Sequence, residues 1–374
     1  MEQKIYLDNN ATTKVDSKVV SAMLPFFTEL YENSGSSHLA GLTISEHLEN
    51  ATYTVSRAIG AKENEIIFTS GATEAINLAL KGFKADPIQN LITASTEHKA
   101  ILDTVDSLQI KGKKSIIIHV GSDGIINFDE LKTALSKGSA IVSIMLSNNE
   151  TGVLNDIKKI AGWVHEYESF LLCDATQAVG KIPVNVKDLG IDLMPFSAHK
   201  FHGPKGVGGL YISSKIKKYL RSQITGGGQQ NNLRSGTLNI PGIIGMAKAL
   251  EINQKNIEES TLKIKNLRDD LEFQLLKTEG CFVNGSLENR IFNTTNICFP
   301  QILSEKMILA LKNISVSSGS ACSAITSRPS HVLKEMGLSD KHALSSIRFS
   351  LSKFTTKEEI DYTAERIREI ISAV

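Results

Sequence analysis

Short apolar runs separated by helical patterns fill the chain from about residue 60 to residue 215. Seven runs have the length and composition of strands, at 65–69, 91–95, 115–120, 140–146, 169–173, 191–196 and 207–212. Most lack a strict alternation of apolar and polar residues, which is typical of strands buried on both faces. The pattern predicts an α/β fold, with a mainly parallel seven-stranded sheet covered by helices on both faces.

The pattern changes after the triple-glycine loop at residues 226–228. Long helical patterns occupy about 241–278, and shorter strand and helix patterns follow. A length of 374 residues is also in keeping with two domains. We expect a large domain over residues 13–250 and a smaller α/β domain formed by residues 1–12 together with residues 251–374.

Composition and charge favour a small-molecule partner. The 41 lysines and arginines nearly balance the 40 acidic residues, so neither nucleic acid nor an anionic membrane surface is indicated as a direct partner. No apolar stretch approaches the roughly 18 residues of a membrane span, and the N-terminus lacks the features of a secretory signal, so we expect a cytoplasmic protein. The cysteines Cys173, Cys281, Cys298 and Cys322 form no CxxC pair and are expected to be free thiols.

Polar residues gather where the apolar runs end, and ligands of open α/β sheets bind beyond the carboxyl ends of strands. The first run opens into a small-residue turn with Ala72 and Thr73 at a predicted helix N-terminus. Such a turn can hold a phosphate or be an ordinary helix cap. Two further runs lead to His98 and Asn149, and a solvated loop residue would explain either of them alone.

Asp174 and Lys200 end two more buried runs. A carboxylate at the tip of a buried strand needs a cation or several donors, so Asp174 faces either a helix N-terminus or a protonated ring nitrogen. Desolvation favours the neutral, nucleophilic form of a lysine, which makes Lys200 a candidate for Schiff-base chemistry as well as an ordinary surface lysine. His199 and His202 have the spacing of a metal-binding pair, but no third ligand follows, so no metal is expected.

Together the strand ends match the requirements of pyridoxal phosphate. This cofactor needs a phosphate site, an imidazole or aromatic face over its ring, a carboxylate for N1, a donor for O3′ and a lysine for C4′. Each requirement has a candidate, with Gln177 as the donor three residues after Asp174. The sequence therefore predicts a pyridoxal phosphate site.

Nine motifs carry a resemblance to a known family. They are YLDNNATT at 6–13, FTSGATE at 68–74, TEH at 96–98, NNE at 148–150, DATQ at 174–177, SAHK at 197–200, RSGT at 234–237, SSGSAC at 317–322 and SIRFS at 346–350. With them, essentially the whole chain resembles the cysteine desulfurases of the class V aminotransferase group, especially the type that serves iron–sulfur cluster assembly and tRNA thiolation. The resemblance implies the fold type I of pyridoxal phosphate-dependent transferases.

The resemblance also implies roles for individual residues. Lys200 would bind the cofactor as a Schiff base, His98 would stack on its ring, Asp174 would pair with N1 and Gln177 with O3′. The phosphate would be held by Ala72, Thr73, Ser197 and His199, and by Thr237 reaching across from the partner subunit of a homodimer. Asn149 would lie by cofactor and substrate, and Arg348 would bind the substrate carboxylate through its planar fork.

The implied reaction converts L-cysteine to L-alanine and leaves a persulfide on Cys322. The small-residue stretch before Cys322 gives its backbone many accessible conformations, whereas the other three thiols lie in apolar contexts typical of a core. The sulfur would then pass to an acceptor protein, such as an iron–sulfur scaffold or a thiolation protein. Lys200, Cys322 and His98 are the expected catalytic residues.

Two kinds of alternative remain open. Other class V enzymes, namely an aminotransferase, a selenocysteine lyase or a C–S lyase, share the cofactor chemistry, although an aminotransferase has no need of a second nucleophile. A catalytically silent scaffold would have no need of Lys200 and Cys322. The chain also departs from the family at Gln230, where an acidic residue often follows the triple-glycine loop.

Overall fold

The computed structural model describes residues 4–84, 88, 90–109, 114–255, 257–319 and 328–373. Its strands are β1 (Ile5–Tyr6), β2 (Ile66–Thr69), β3 (Asn90–Ala94), β4 (Lys114–Ile118), β5 (Ala140–Ser143), β6 (Phe170–Leu172), β7 (Leu193–Ser197), β8 (Gly208–Ile212), β9 (Phe282–Val283), β10 (Thr294–Cys298), β11 (Ile314–Ser315) and β12 (Ser346–Ser350). Its helices are α1 (Ser17–Met23), α2 (Pro25–Thr28), α3 (Leu39–Ala58), α4 (Ala72–Lys81), α5 (Lys99–Gln109), α6 (Phe128–Leu135), α7 (Ile157–Glu166), α8 (Ile240–Lys255), α9 (Ile257–Leu275), α10 (Ser304–Leu311), α11 (His331–Glu335), α12 (Asp340–Leu344) and α13 (Lys357–Ser372).

A seven-stranded sheet occupies the centre, in the order β2-β8-β7-β6-β5-β3-β4. All neighbouring strands run parallel except β8, which is antiparallel to both β2 and β7. The α/β fold and the mainly parallel seven-stranded sheet predicted from the sequence are therefore confirmed. Among the helices within the described residues, none is both long and apolar enough to cross a lipid bilayer.

Apolar clusters cover both faces of this sheet. Leu171 and Leu172, neighbours on β6, belong to two different clusters, because successive side chains of a strand point to opposite faces. A third cluster draws on Ile5, Leu7 and residues 264–370, and it packs around β10 and β12. The division into two domains stays a prediction, and the separation of these clusters supports it.

The N-terminal segment links the two groups of elements. β1 pairs parallel with β11, and Asn9 donates its main-chain N–H to the Ser350 carbonyl at 3.1 Å. A few residues later, Thr13 donates its main-chain N–H to the His199 carbonyl at 2.9 Å, just beyond β7. Residues 8–13 therefore lie across the carboxyl ends of the central strands.

Gln230 pairs with the edge strand β2. Its Oε1 accepts from the Phe68 N–H at 2.6 Å, and its Nε2 donates to the Phe68 carbonyl at 2.8 Å. A carboxylate could accept from the N–H but could not donate to the carbonyl. The amide is thus the group that satisfies both main-chain partners, which accounts for the departure from the acidic residue common in the family.

Gly180 lies in the turn that packs against Phe201, the neighbour of Lys200. A substitution at Gly180 tests the conformation of this turn. Its φ is +73°, and an added Cβ would lie 2.6 Å from Phe201 Cβ. We expect Gly180→Ala to lower the free energy of unfolding by about 1–3 kcal/mol in urea denaturation, because it adds backbone strain and a clash. The control Gly162→Ala, in α7 with no atom within 4 Å of the added Cβ, should raise it by up to about 1 kcal/mol. Equal free energies of unfolding for the two variants would contradict this conformation of the turn.

Candidate active site

A cleft of about 460 Å³ opens at the carboxyl ends of the central strands, beneath the N-terminal segment. Predicted site residues from several strand ends, and one from β12, line it together: Ala72, Thr73, His98, Asn149, Asp174, Gln177, Ser197, His199, Lys200 and Arg348. Thr237 is exposed and does not line this cleft. Cys322 lies outside the described residues.

Lys200 ends the short turn that follows β7. Its Nζ donates to the main-chain carbonyls of Asn10 at 2.6 Å and Ala11 at 2.9 Å. A half-buried ammonium needs such acceptors, since leaving it without them would cost several kcal/mol. The N-terminal segment therefore fixes the position of this amine at the floor of the cleft.

Asp174 follows β6 and is 6% exposed. Its Oδ1 accepts from the Thr176 N–H at 2.9 Å, and residues 176–181 form turns. No α-helix begins within this described stretch, although the bond to Thr176 is of the kind that a helix cap makes. A carboxylate buried at the cleft with one main-chain donor still has acceptor capacity for a cationic group.

His98 follows β3 and lies at the start of α5. Its Nδ1 accepts from the Ala100 N–H at 3.1 Å, and burial lowers the pKa of His98 although the charge of Asp174 opposes the shift. The neighbouring Glu97 is fully buried and accepts from the Met145 N–H at 2.6 Å. Burial, reinforced by the charge of Asp174, raises the pKa of Glu97 well above its usual range. Both shifts favour the neutral form of the side chain.

The start of α4 and the turn after β7 form the anion-binding end of the cleft. α4 begins at Ala72 without a side-chain cap, which leaves its first N–H groups for an anion. His199 contacts Thr12 Oγ1 through Nδ1 at 3.1 Å, and burial lowers the pKa of His199 to about 4. Two hydroxyls that line the cleft, Ser147 Oγ and Thr176 Oγ1, have no hydrogen-bond partner among the described residues. Uncapped amides and unsatisfied hydroxyls fit a polar, phosphate-bearing ligand.

Arg348 is 2% exposed and reaches the cleft from β12. Its Nη1 donates to the Asn149 carbonyl at 2.9 Å, and its Nη2 pairs with Asp8 Oδ1 at 2.6 Å. Its Nε has no partner among the residues that the structure describes. The guanidinium is thus oriented by the opposite wall of the cleft and retains donor capacity for a carboxylate.

Described residues on either side of Cys322 contact Arg348, which lines the cleft, and Glu150, the neighbour of Asn149. Ser317 pairs with Arg348, exchanging main-chain hydrogen bonds of 3.3 Å and 2.7 Å. On the other side, Ser330 Oγ donates to Glu150 Oε2 at 2.5 Å, next to Asn149. The described chain on both sides of Cys322 therefore contains a residue that contacts the cleft lining or its immediate neighbour.

The other three thiols are poor nucleophiles. Burial raises the pKa of Cys173 well above its usual range, raises that of Cys281 to about 11 and raises that of Cys298 as well. Cys173 and Cys298 lie in the core as predicted, whereas Cys281 is half-buried at the edge of a cluster. All three remain thiols at neutral pH, and the thiolate is the reactive form.

Sequence reasoning assigned no role to several residues that shape the cleft. Asn10 and Thr12 line it, Asp8 pairs with Arg348, and Lys181 binds the side chains of Gln177 and Asn10. The run of polar residues directly after Tyr6 and Leu7 is the signal that could have pointed to the first three. Lys181 had no local signal, because its partners come together only in the fold.

Comparisons with known proteins agree on one family. The class V aminotransferase family matches residues 5–363. Cysteine desulfurase IscS of Methylobacillus flagellatus is 42% identical over 98% of this chain and 92% of its own length, and IscS of Pasteurella multocida is 42% identical over 100% and 94%. Among solved structures, a NifS-like protein superposes with a TM-score of 0.93 at 38% identity, and one from Rickettsia africae with 0.90 at 33%, each over the full length of both chains.

The burial of His202 predicts that the stability of the protein depends on pH. Burial lowers its pKa to about 4, although its Nδ1 contacts the Lys14 carbonyl at 2.9 Å. The unfolded chain binds this proton below about pH 6.5, so the free energy of unfolding should fall as pH drops towards 4, by up to about 1.4 kcal/mol per pH unit. His202→Gln should flatten the profile measured by urea denaturation. Parallel profiles for the variant and the wild type would contradict the assignment.

Proposed function

The chain belongs to the cysteine desulfurases of the class V aminotransferase family, and from this premise we propose that Cys322 is the thiol that takes the sulfur of L-cysteine while L-alanine is released. Membership of the family implies pyridoxal phosphate as the cofactor. When bound, it supplies an electron sink for the Cα of an amino acid. The cleft has the donor set, the carboxylate and the lysine that this group requires.

We assign the cofactor-holding residues as follows. Lys200 would form the covalent link, Asp174 would pair with the ring nitrogen, Gln177 would donate to the ring hydroxyl and His98 would cover the ring. The phosphate would be held by Ala72, Thr73, Ser197 and His199, and by Thr237 of the partner subunit. The uncapped start of α4 and the neutral imidazoles of His98 and His199 support this arrangement.

The chain's own residues then carry out the remaining steps. Arg348 and Asn149 bind the substrate carboxylate, for which the planar guanidinium provides two parallel donors. Lys200 Nζ removes the Cα proton. The Cys322 thiolate attacks the substrate Sγ, so the S–S bond forms as the Cβ–S bond breaks and its electron pair stays with Cβ. One proton completes the alanine methyl group at Cβ, and Lys200 Nζ returns the other to Cα. The substrate sulfur remains on Cys322 as a persulfide.

One observation carries the assignment of Cys322. Ser317 and Ser330, described residues on either side of its segment, contact Arg348 in the cleft lining and Glu150, the neighbour of Asn149. Burial holds the other three cysteines in the thiol form. Cys322 is therefore the cysteine whose position in the chain is compatible with attack on a sulfur bound near Arg348.

The homodimer and the acceptor protein belong to the same proposal. Thr237 is exposed and lies outside its own cleft, as a residue that serves the partner's cofactor must. A group of large apolar side chains on and between α1, α2 and α3 is also exposed, as expected of a subunit interface: Leu24, Phe27, Tyr31, Leu39 and Leu42. We propose that the persulfide passes to an iron–sulfur scaffold or a thiolation protein in the cytoplasm.

Replacing the proposed sulfur acceptor tests the reaction. Cys322→Ser should keep the cysteine-induced change in the visible spectrum, which depends on Lys200, but should lose the persulfide and lower alanine formation about 1,000-fold or more. Mass spectrometry of the thiols and an alanine assay measure the two products. Cys281→Ser is the matched control and should behave like the wild type.

The outcomes separate the alternatives. Full alanine production by Cys322→Ser, or a persulfide found only on another cysteine, would overturn the assignment of Cys322. Undiminished transamination would indicate an aminotransferase, and undiminished sulfide release would indicate a lyase. A silent scaffold would show no spectral response to cysteine even in the wild type.

Asp174→Asn tests the pairing with the ring nitrogen. An amide cannot hold that nitrogen in its protonated form, so exchange of the Cα hydrogen of bound amino acid with solvent deuterium should slow by about 100-fold or more, while the circular dichroism spectrum stays unchanged. Asp156→Asn is the control, since Asp156 is an exposed cap of α7 and Asn caps helices equally well. Equal exchange rates for Asp174→Asn and the wild type would remove Asp174 from this role.

A further inference from the structure

A second lysine lies behind Lys200. Lys181 follows the turn that begins at Asp174, and its Nζ donates to Gln177 Oε1 at 2.7 Å and to Asn10 Oδ1 at 3.2 Å. Both acceptors are neutral amide oxygens. A buried amine held by neutral groups costs free energy that an apolar side chain of similar volume would not cost. Its presence beside the cleft therefore calls for a functional reason.

The partners of Gln177 fix the orientation of its side-chain amide. The Asn10 main-chain carbonyl can only accept, so the Gln177 atom that faces it at 2.9 Å is Nε2. Oε1 consequently faces Lys181, which supplies an N–H group in either of its protonation states. With one N–H of Nε2 used by Asn10, the other remains for a ligand in the cleft that Gln177 lines.

Asn10 and Lys181 together form a clamp on the Gln177 amide, and loss of Lys181 would remove one of the two contacts. The Gln177 carbonyl oxygen would then have no donor on its buried side, and a buried acceptor without a partner is unfavourable by about 1–3 kcal/mol. Rotation of the amide by 180° about its last bond would remove that unpaired acceptor but would set Oε1 against the Asn10 carbonyl oxygen, so neither orientation would satisfy both neighbours. The rotated amide would present an oxygen, in place of an N–H, towards the ligand.

The electrostatic setting of Lys181 agrees with a role at the site. Burial lowers the pKa of Lys181 well below its usual range, and the positive charges of Lys200 and Arg348 lower it further. Asn10 lies between the two lysines, since its main-chain oxygen accepts from Lys200 and its side-chain oxygen from Lys181. The two amines therefore share one hydrogen-bonded group.

We propose that Lys181 is a positioning residue which holds the Gln177 amide so that its N–H faces the ring oxygen of the cofactor. This inference rests on the proposed function in its assignment of Gln177 to that oxygen. It adds a residue that itself contacts neither the cofactor nor the substrate.

A double-mutant cycle on the full chain tests the proposal, with the dissociation constant for pyridoxal phosphate measured by equilibrium dialysis. Gln177→Met and Lys181→Met should each weaken binding about tenfold, the loss expected for one hydrogen bond to an ionised oxygen. The double variant should bind no more weakly than Gln177→Met alone. The visible absorption band of the loaded protein should shift in the same direction in both single variants.

Two further variants serve as controls. Lys181→Gln keeps an N–H donor and should recover most of the binding. Lys187→Met changes an exposed lysine six residues away and should leave both the affinity and the band unchanged. Thermal unfolding of each variant shows whether it is folded, and Lys181→Leu, which also lacks a donor, takes the place of Lys181→Met if the latter does not fold. In that case, about tenfold weaker binding by Lys181→Leu that Lys181→Gln restores supports the proposal, and wild-type-like binding by Lys181→Leu overturns it.

The results distinguish failure of this inference from failure of the proposed function. If Lys181→Met lowers only the unfolding temperature, or if the two losses multiply to about a hundredfold in the double variant, the Lys181 assignment is wrong and the cofactor assignment stands. If the wild type does not bind pyridoxal phosphate, both are wrong. Binding and spectrum are read without turnover, so the outcome does not depend on Cys322.

Discussion

Amine groups at the buried end of a parallel sheet need hydrogen-bond acceptors nearby. The rest of this cleft depends on one such acceptor, the main-chain carbonyl of Asn10. It accepts from Lys200 and from Gln177, while the Asn10 side-chain oxygen accepts from Lys181. The Asn10 amide in turn donates to Thr294 Oγ1 on β10 at 2.9 Å. A single residue thus accepts from Lys181, Lys200 and Gln177 and ties them to the smaller group of strands.

Much of this arrangement could be predicted from the sequence, because the relevant signals are local. Each central strand is a short apolar run, and the residue that ends the run enters the cleft by the geometry of parallel sheets. Asp174 and Lys200 illustrate this, since both follow their strands within three residues. The predicted run at 140–146 continues past the end of β5 at Ser143, and its later part, including Met145, becomes a wall of the cleft.

The remaining features depend on contacts between residues that are far apart in the chain. Asp8 meets Arg348 across 340 positions, and Gln230 meets Phe68 across 162. Neither the hydrophobic periodicity of the sequence nor the spacing of its motifs indicates such pairs. Asp174 shows a limit of local signals, since its chemistry allows either a main-chain cap or a ring-nitrogen partner, and the residues around it in the sequence do not choose between them.

The pairing of the N-terminal segment with β11 and β12 sets the order in which the protein can be completed. Residues 5–9 bind main-chain groups of Asn313, Ser315 and Ser350, so they have no partners while the ribosome is still making the first three hundred residues. The central sheet, whose strands lie between residues 66 and 212, is available long before. The segment that carries the Lys200 acceptors Asn10 and Ala11 therefore gains its partners on β11 and β12 only after the last part of the chain has emerged.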